Sequence, residues 1–271
     1  MNRLDIRKQT SVIAALLEGN SIRSTERITG IHRDTICRLL VEAGDRCQDL
    51  MDGAMRNLRC SYIQCDEIWT YVGKKQRHVG QDDSPEAGDQ WVFVAMDEET
   101  KLVPVFTVGK RTEETTWYFM NDLAERLAVR PQITTDGFVF YQRHVEEAFG
   151  SNVDFAQLIK MYGEFDRPAG HERYSPSPIV ECIARVRSGD PDPQRICTSH
   201  IERQNLTMRM QMRRFTRLTN AFSKKLTNLK AACAVHFAHY NFCRVHQSLR
   251  ITPAMAAGVT DTVWGVEKLL A

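Results

Sequence analysis

Residues 63–75 read IQCDEIWTYVGKK, from Ile63 to Lys75. Side chains alternate across a strand, so Ile63, Cys65, Glu67, Trp69 and Tyr71 share one face and Gln64, Asp66, Ile68 and Thr70 the other. The apolar, β-prone flanks predict a buried strand with a carboxylate, Asp66, in its middle. An acid there is costly unless its charge is compensated. A metal ion is one compensator and a Lys or Arg partner is another. An edge position or a plain ion pair is the alternative that needs no function.

Outward from this strand, the chain of 271 residues is long enough for one large domain or two to three smaller ones. It is 42% hydrophobic and 26% charged, the profile of a soluble globular protein. It has no apolar run of about eighteen residues, so no membrane helix is expected. The opening residues MNRLDIRKQT hold no apolar signal core. Eight cysteines without a CxxC pair predict reduced, mostly buried thiols and a cytoplasmic location. Charge is unevenly spread. Residues 200–250 carry ten Lys/Arg and one acid, Glu202, whereas 60–199 are net acidic. A basic block beside an acidic one points to a polyanion grip next to a carboxylate-rich site; two solvated faces of a dipolar protein are the plain alternative.

The first part of the chain has helical spacing. Ile6, Ile13, Leu16 and Leu17 predict a helix over 5–18, ended by Gly19-Asn20. A second follows over 21–28, stopped by Gly30, and a third over 32–43, with Ile36, Leu39 and Leu40 inward and Gly44 after it. Three short helices with a glycine turn fit a helix-turn-helix, expected over residues 1–48. Its last helix would present Arg33, Asp34, Thr35 and Arg38 to base edges in the major groove. An ordinary three-helix cap would show the same spacing. Residues 44–60 are expected to be a linker helix or an extension, with 49–60 as the linker between domains.

From Ser61 the texture becomes α/β. WVFVAMD and LVPVFTVG are strand-like runs around a turn at 98–101. A helix follows from Thr112, with Thr112 and Thr115 as candidate caps. QITTDGF is a short strand, 138–149 a helix ended by Gly150, and VDFAQLIK another strand. The order predicts a mixed sheet flanked by helices over 61–218. Residues 161–198 are an insertion rich in Pro, Gly and Asp, with a short strand near 179–186. A helix opens at Ser199 and a second covers 220–240. Residues 219–271 are expected to pack this basic helix and tail on the α/β part.

Three acids are candidates to meet: Asp66 in mid-strand, Asp136 at a strand end before Gly137, and Glu202 in the first turn of a helix. Oxygen-donor acids suit hard divalent ions. Two such ions about 4 Å apart can activate a water or a 3′-hydroxyl and stabilise the leaving oxygen of a phosphodiester. Without cations three clustered acids would repel one another and DNA. Each acid has a plainer role as well. Asp66 could be in an ion pair, Asp136-Gly137 could be a turn, and Ser199 with Glu202 could be a capping box. The basic row tips the balance, because 202, 209 and 213 would share one helix face. Arg203, Arg209, Arg213, Arg214, Lys224 and Lys225 are the expected phosphate contacts.

Other chemistries are weaker. Cys233, His236, His239, Cys243 and His246 are crowded, and His236/His239 have zinc-like spacing, but no CxxC accompanies them. No GxxxxGK[ST] loop exists for ATP, and no nucleophile elbow supports a Ser/His/Asp triad.

Taken together, CDEIWTYVGKK, WVFVAMDEETK with VGKRTEET, TTDGF, SHIERQNLTMRM with RRFTRLTNAFSKK, and HYNFCRVHQSLRITPAMAAG resemble transposases of the insertion-sequence-one type. The resemblance spans about residues 10–260. It implies a ribonuclease-H-like catalytic domain whose Asp-Asp-Glu triad falls on Asp66, Asp136 and Glu202, with two Mg2+ (or Mn2+) ions as cofactor. It implies cleavage at the ends of a mobile DNA element and joining of the freed 3′-hydroxyls to target DNA. The partners would be terminal inverted repeats, a target duplex and further copies of the chain, in a bacterial cytoplasm at the nucleoid. Some relatives carry a cysteine-rich zinc segment ahead of the helix-turn-helix. No such cluster precedes these helices, and either weaker end recognition or an incomplete reading frame is expected. A DNA-binding repressor with an inactive α/β domain, or a plain nuclease, are the rival expectations.

Overall fold

The strand that holds Asp66 forms at the middle of the molecule as β1 (Tyr62–Val72). The computed structural model describes residues 4–163, 177–216 and 219–271. Residues 164–176 of the expected insertion therefore lie outside the described residues. β2 (Gly88–Asp97) and β3 (Val105–Gly109) continue the sheet on one side of β1, and β4 (Gln132–Thr135), β5 (Asp154–Tyr162) and β6 (Ile179–Ser188) on the other. Their order is β3-β2-β1-β4-β5-β6. β1 and β2 pair antiparallel from Ile63↔Asp97 to Val72↔Gly88, and β3 adds antiparallel to β2. β4 runs parallel to both β1 and β5. Parallel neighbours need crossovers, supplied here by α4 (Glu113–Arg126) and α5 (Val139–Phe149). The expected mixed sheet flanked by helices is what forms. The Thr112 side chain accepts from Thr115 N and caps α4 as expected.

The first helices are α1 (Ile6–Leu17), α2 (Ile22–Thr29) and α3 (Arg33–Ala54). Asp5 and Ser21 cap the first two, and Gly30 ends α2 in the left-handed conformation at φ 68°. The third helix corrects the sequence expectation, because it does not end at Gly44. It runs through that glycine to Ala54, which absorbs half of the residues 49–60 assigned to a linker. The reason is packing. A Cβ at Gly44 would stand 2.4 Å from both Cα and Cβ of Ala231. Ala231 lies in α7 (Leu226–Ala238), and glycine lets the two helix axes approach closely. At the far end of α3 the buried guanidinium of Arg126 donates to the Met51 and Met55 carbonyls and pairs with Asp52 and Asp122. This ties the end of α4 to α3.

α6 (Ser199–Gln211) starts where the sequence places it. The next helix does not: α7 begins at Leu226 rather than 220. Ser223 bridges to Val72 at the end of β1, and its carbonyl accepts from Gly73 N at 2.8 Å. Ser223 is therefore held in a strand-like bridge, and Lys225 is still extended just before the helix. α7 is buried almost all round, with Lys230 its only Lys or Arg. Its π-helical continuation, His239–Cys243, holds the buried Asn241. Asn241 accepts from Val103 N and donates to Val103 O, locking the β2–β3 turn onto the helices. Among the described residues no helix is long and apolar enough to cross a membrane.

Gly44→Ala separates close packing from helix propensity. Propensity alone favours alanine by about 1 kcal/mol. The contact with α7 predicts the opposite sign, a loss of about 1–3 kcal/mol. Chemical denaturation of the variant measures it, and a stability gain would refute the packing account.

Candidate functional site

Parallel strands β1 and β4 pair as far as Cys65↔Thr135. The next residue on each is an acid, Asp66 on β1 and Asp136 after β4. Two carboxylates thus stand side by side where the parallel pair ends, the edge at which open α/β sheets bind ligands. Asp66, Glu67 and Asp136 each offer a carboxylate oxygen within 4.8 Å of the others. This is the metal-sized acidic group found among the described residues.

Each acid is held. Asp66 Oδ1 accepts from Glu67 N at 2.8 Å, and its Oδ2 accepts from Asn205 Nδ2 at 2.8 Å. Asp136 Oδ1 accepts from Phe138 N at 2.9 Å, an Asx-type turn that opens α5. Glu67 is buried and takes Arg111 on Oε2, with Nε at 3.0 Å and Nη2 at 2.8 Å. Its Oε1 has no hydrogen-bond partner. The Arg111 guanidinium reaches Asp136 Oδ2 only at 3.7 Å. It lies 3.9 Å from the Phe138 ring centroid and 4.8 Å from that of Trp91. One arginine, fixed between two aromatic faces, is thus the local counter-charge for acids that outnumber it.

Burial therefore dominates the titration. Desolvation raises Asp66 to about 6, helped by the charge of Asp136 and opposed by its hydrogen bonds. Desolvation raises Glu67 to about 7, with Asp136 adding to it and Tyr141 and Arg111 opposing it.

Glu202 stands apart from this trio. It lies on α6, which docks across β1 through Gln64: the Gln64 Oε1 accepts from His200 N and Ile201 N at 3.0 and 3.1 Å. Asn205, three residues on and therefore on the same helix face, is the donor to Asp66. The charge of Glu202 is felt at Asp66 and raises its pKa. Its carboxylate is taken by Lys160 of β5 and by the Thr198 hydroxyl at 2.5 Å. The capping box, the plainer alternative for Glu202, is not formed. Ser199 is inside α6 rather than at its cap, and Glu202 does not reach back to that residue's backbone N–H.

The basic residues divide. Arg203 and Arg209 lie on α6. The helix ends at Gln211, so Arg213 does not continue the face of Glu202 and Arg209; it starts a short 3-10 turn with Arg214. Arg33, Arg213, Arg214, Lys224 and Lys225 instead line one cleft of about 1120 Å3, together with Arg23. Asp34 is the acid in that lining. Arg214 lies deep in it, donating to Ser223 Oγ at 2.6 Å, and desolvation lowers its pKa. Thr35 and Arg38 are outside the cleft, with Arg38 donating to Thr35 Oγ1 at 3.4 Å. Beyond Arg38 the exposed stripe of α3 is acidic, through Glu42, Asp45, Asp49 and Asp52. A polyanion could approach this helix only at its first turns.

Sequence reading missed Glu67, Arg111, Lys160, Asn205 and Arg23. Glu67 was visible as the neighbour of Asp66, but alternation put it on the opposite face. The others are ordinary polar residues until the fold brings them to the acids or the cleft. The crowded Cys233, His236, His239, Cys243 and His246 form no metal-sized group among the described residues. His236 is instead buried, and desolvation lowers it to about 3.

No family model matches the chain, and no curated protein matches it. Solved structures similar to it are transposase complexes. A piggyBac transposase synaptic complex with hairpin DNA aligns at 11% identity and a TM-score of 0.49, covering 99% of this chain and 70% of that one. A Mos1 transposase paired-end complex aligns at 10% identity and 0.22, over 57% and 60%. The Mos1 strand transfer complex aligns at 9% and 0.24, over 89% and 78%. Likenesses this distant decide neither fold nor function.

The raised acids make a pH prediction for the metal-free protein. Unfolded, Asp66 and Glu67 titrate near 3.8 and 4.5; folded, near 6 and 7. Between those limits the folded state binds more protons, so these groups lower stability as pH rises through the window. Glu67→Gln should flatten the fall in melting temperature between about pH 4 and 7. An unchanged pH profile in that variant would contradict the assignment.

Proposed function

We propose that this chain is a divalent-metal-dependent transposase that cuts the ends of a mobile DNA element and joins the freed 3′-hydroxyls to target DNA. The observation that carries the proposal is the side-by-side placement of Asp66 and Asp136 at the end of the parallel pair, beside a helix that presents Glu202. The donor set fits a hard cation. It is all oxygen, it is partly desolvated, and its acids exceed the local positive charge.

Asp66, Asp136 and Glu202 would hold two Mg2+ or Mn2+ ions. When bound, such ions lower the pKa of a nucleophilic oxygen and neutralise charge on the phosphoryl group. The protein's own residues do the positioning. Asn205 orients the Asp66 carboxylate, the Phe138 N–H orients Asp136, and the Thr198 hydroxyl and Lys160 hold Glu202. Arg111 keeps Glu67 neutralised as a pair, so Glu67 supports the site from beneath. Fixed donors of this kind contribute by positioning and charge stabilisation, which are the main levers in phosphoryl transfer.

The basic cleft is the proposed grip on the phosphate backbone. On this reading residues 1–48 bind terminal inverted repeats as a helix-turn-helix, with the first turns of α3 toward the DNA. Residues 61–218 carry the chemistry, and 219–271 brace it. The chain would work as a homo-oligomer at the bacterial nucleoid in the cytoplasm. The ion pairs Glu67–Arg111 and Glu202–Lys160 favour one rival, a DNA-binding repressor in which those acids are purely structural.

Asp66→Ala and Glu202→Gln should each reduce Mg2+-dependent cleavage of element ends to the protein-free background while leaving end binding intact. Cleavage that survives either change removes that residue from the site, and a wild type that never cuts with Mg2+ or Mn2+ selects the repressor. Replacing Lys224 and Lys225 together with Gln should lower the slope of log affinity against log salt by about two. An unchanged slope would take the cleft out of the DNA path.

A further inference from the structure

β6 ends the sheet, and no strand pairs with its outer edge among the described residues. All ten of its residues are exposed or half-buried, and Ile179, Val180 and Val186 are apolar side chains open to solvent. An uncovered edge of this kind is a template for another strand. Edges that stay solitary are commonly protected by charge, and like charges also repel a second copy of the same edge.

β6 carries a different arrangement. Glu181 and Arg185 lie two positions on either side of Ile183. Neither makes an ion pair among the described residues. When two identical strands pair antiparallel about a two-fold axis through the sheet, paired residues share a face, so their numbers have the same parity. An axis at Ile183 sets Glu181 opposite Arg185, Cys182 opposite Ala184 and Val180 opposite Val186, each twice. The ladder between β5 and β6 is regular from Met161↔Glu181 to Ala156↔Val186, and its irregularities fall outside that span. The edge is therefore regular from Glu181 to Val186, which spans the Glu181–Arg185 pairs, while Val180 falls at the irregularity before Glu181.

We propose that β6 is the contact between two copies of this chain, joined edge to edge into one continuous sheet and held in register by reciprocal Glu181–Arg185 pairs. The occupant is a second copy rather than an unrelated strand, because the charges complement their own mirror arrangement. This inference stands independently of the catalytic reading, since it uses none of the acids at the sheet centre.

Sedimentation equilibrium of the full chain tests it with charge swaps. The wild type should be dimeric at micromolar concentration. Glu181→Arg and Arg185→Glu each place like charges opposite one another and should weaken the dimer roughly tenfold or more. An equimolar mixture of the two variants should recover dimers, because each then meets its opposite, and the double variant should dimerise like the wild type. Unchanged melting temperatures guard against misfolding. A monomeric wild type, single variants that dimerise normally, or a mixture that does not recover would each overturn the proposal.

Discussion

Negative charge gathered in a poorly hydrated place is the constraint around which this protein is organised. Asp66 and Asp136 come together because the parallel pairing of β1 with β4 stops one residue before each of them, and Glu67 lies close to both. Water cannot screen them fully, so neighbouring elements supply the compensation. Arg111 arrives between β3 and α4, and Asn205 from α6. Lys160 on β5 neutralises Glu202 next door. An acid cluster with one fixed arginine and one amide donor remains short of positive charge, and such a set of oxygen donors could hold a divalent cation.

The helical layer exists to hold this arrangement steady. α6 is pinned at its start by Gln64, two residues before Asp66 on the same strand face, so strand and helix cannot slide past one another without breaking both contacts. Behind it, the close approach of α3 and α7 at Gly44 and Ala231 joins the first helices to the core. Ser223 is bridged to the end of β1, and Arg213, Arg214, Lys224 and Lys225 face Arg23 and Arg33 of the first helices across the basic cleft. Positive and negative regions thus occupy separate neighbourhoods, as the uneven charge along the chain anticipates.

Several elements were legible because their signals are local. Thr112 caps α4, Gly30 stops α2, Gly150 stops α5, and the alternating run around Asp66 is a central strand. Local signals misled at two places. Gly44 looks like a helix end, and only the presence of Ala231 against it shows that the glycine serves interhelical contact. Asn220–Lys225 has helical composition, but pairing of Ser223 with β1 outweighs that weak preference.

The sequence by itself determined the order and type of the elements, the position of two of the clustered acids, and the split between acidic and basic regions. These follow from periodicity, caps and counting, which act over a few residues. Only the tertiary structure decided that Glu67 joins Asp66 and Asp136, that Glu202 is held by Lys160, that Arg33 shares a cleft with Arg213 and Lys225, and that β6 is the last strand of the sheet among the described residues. Each depends on strand register or helix docking between segments far apart in the chain, and no local propensity encodes those distances.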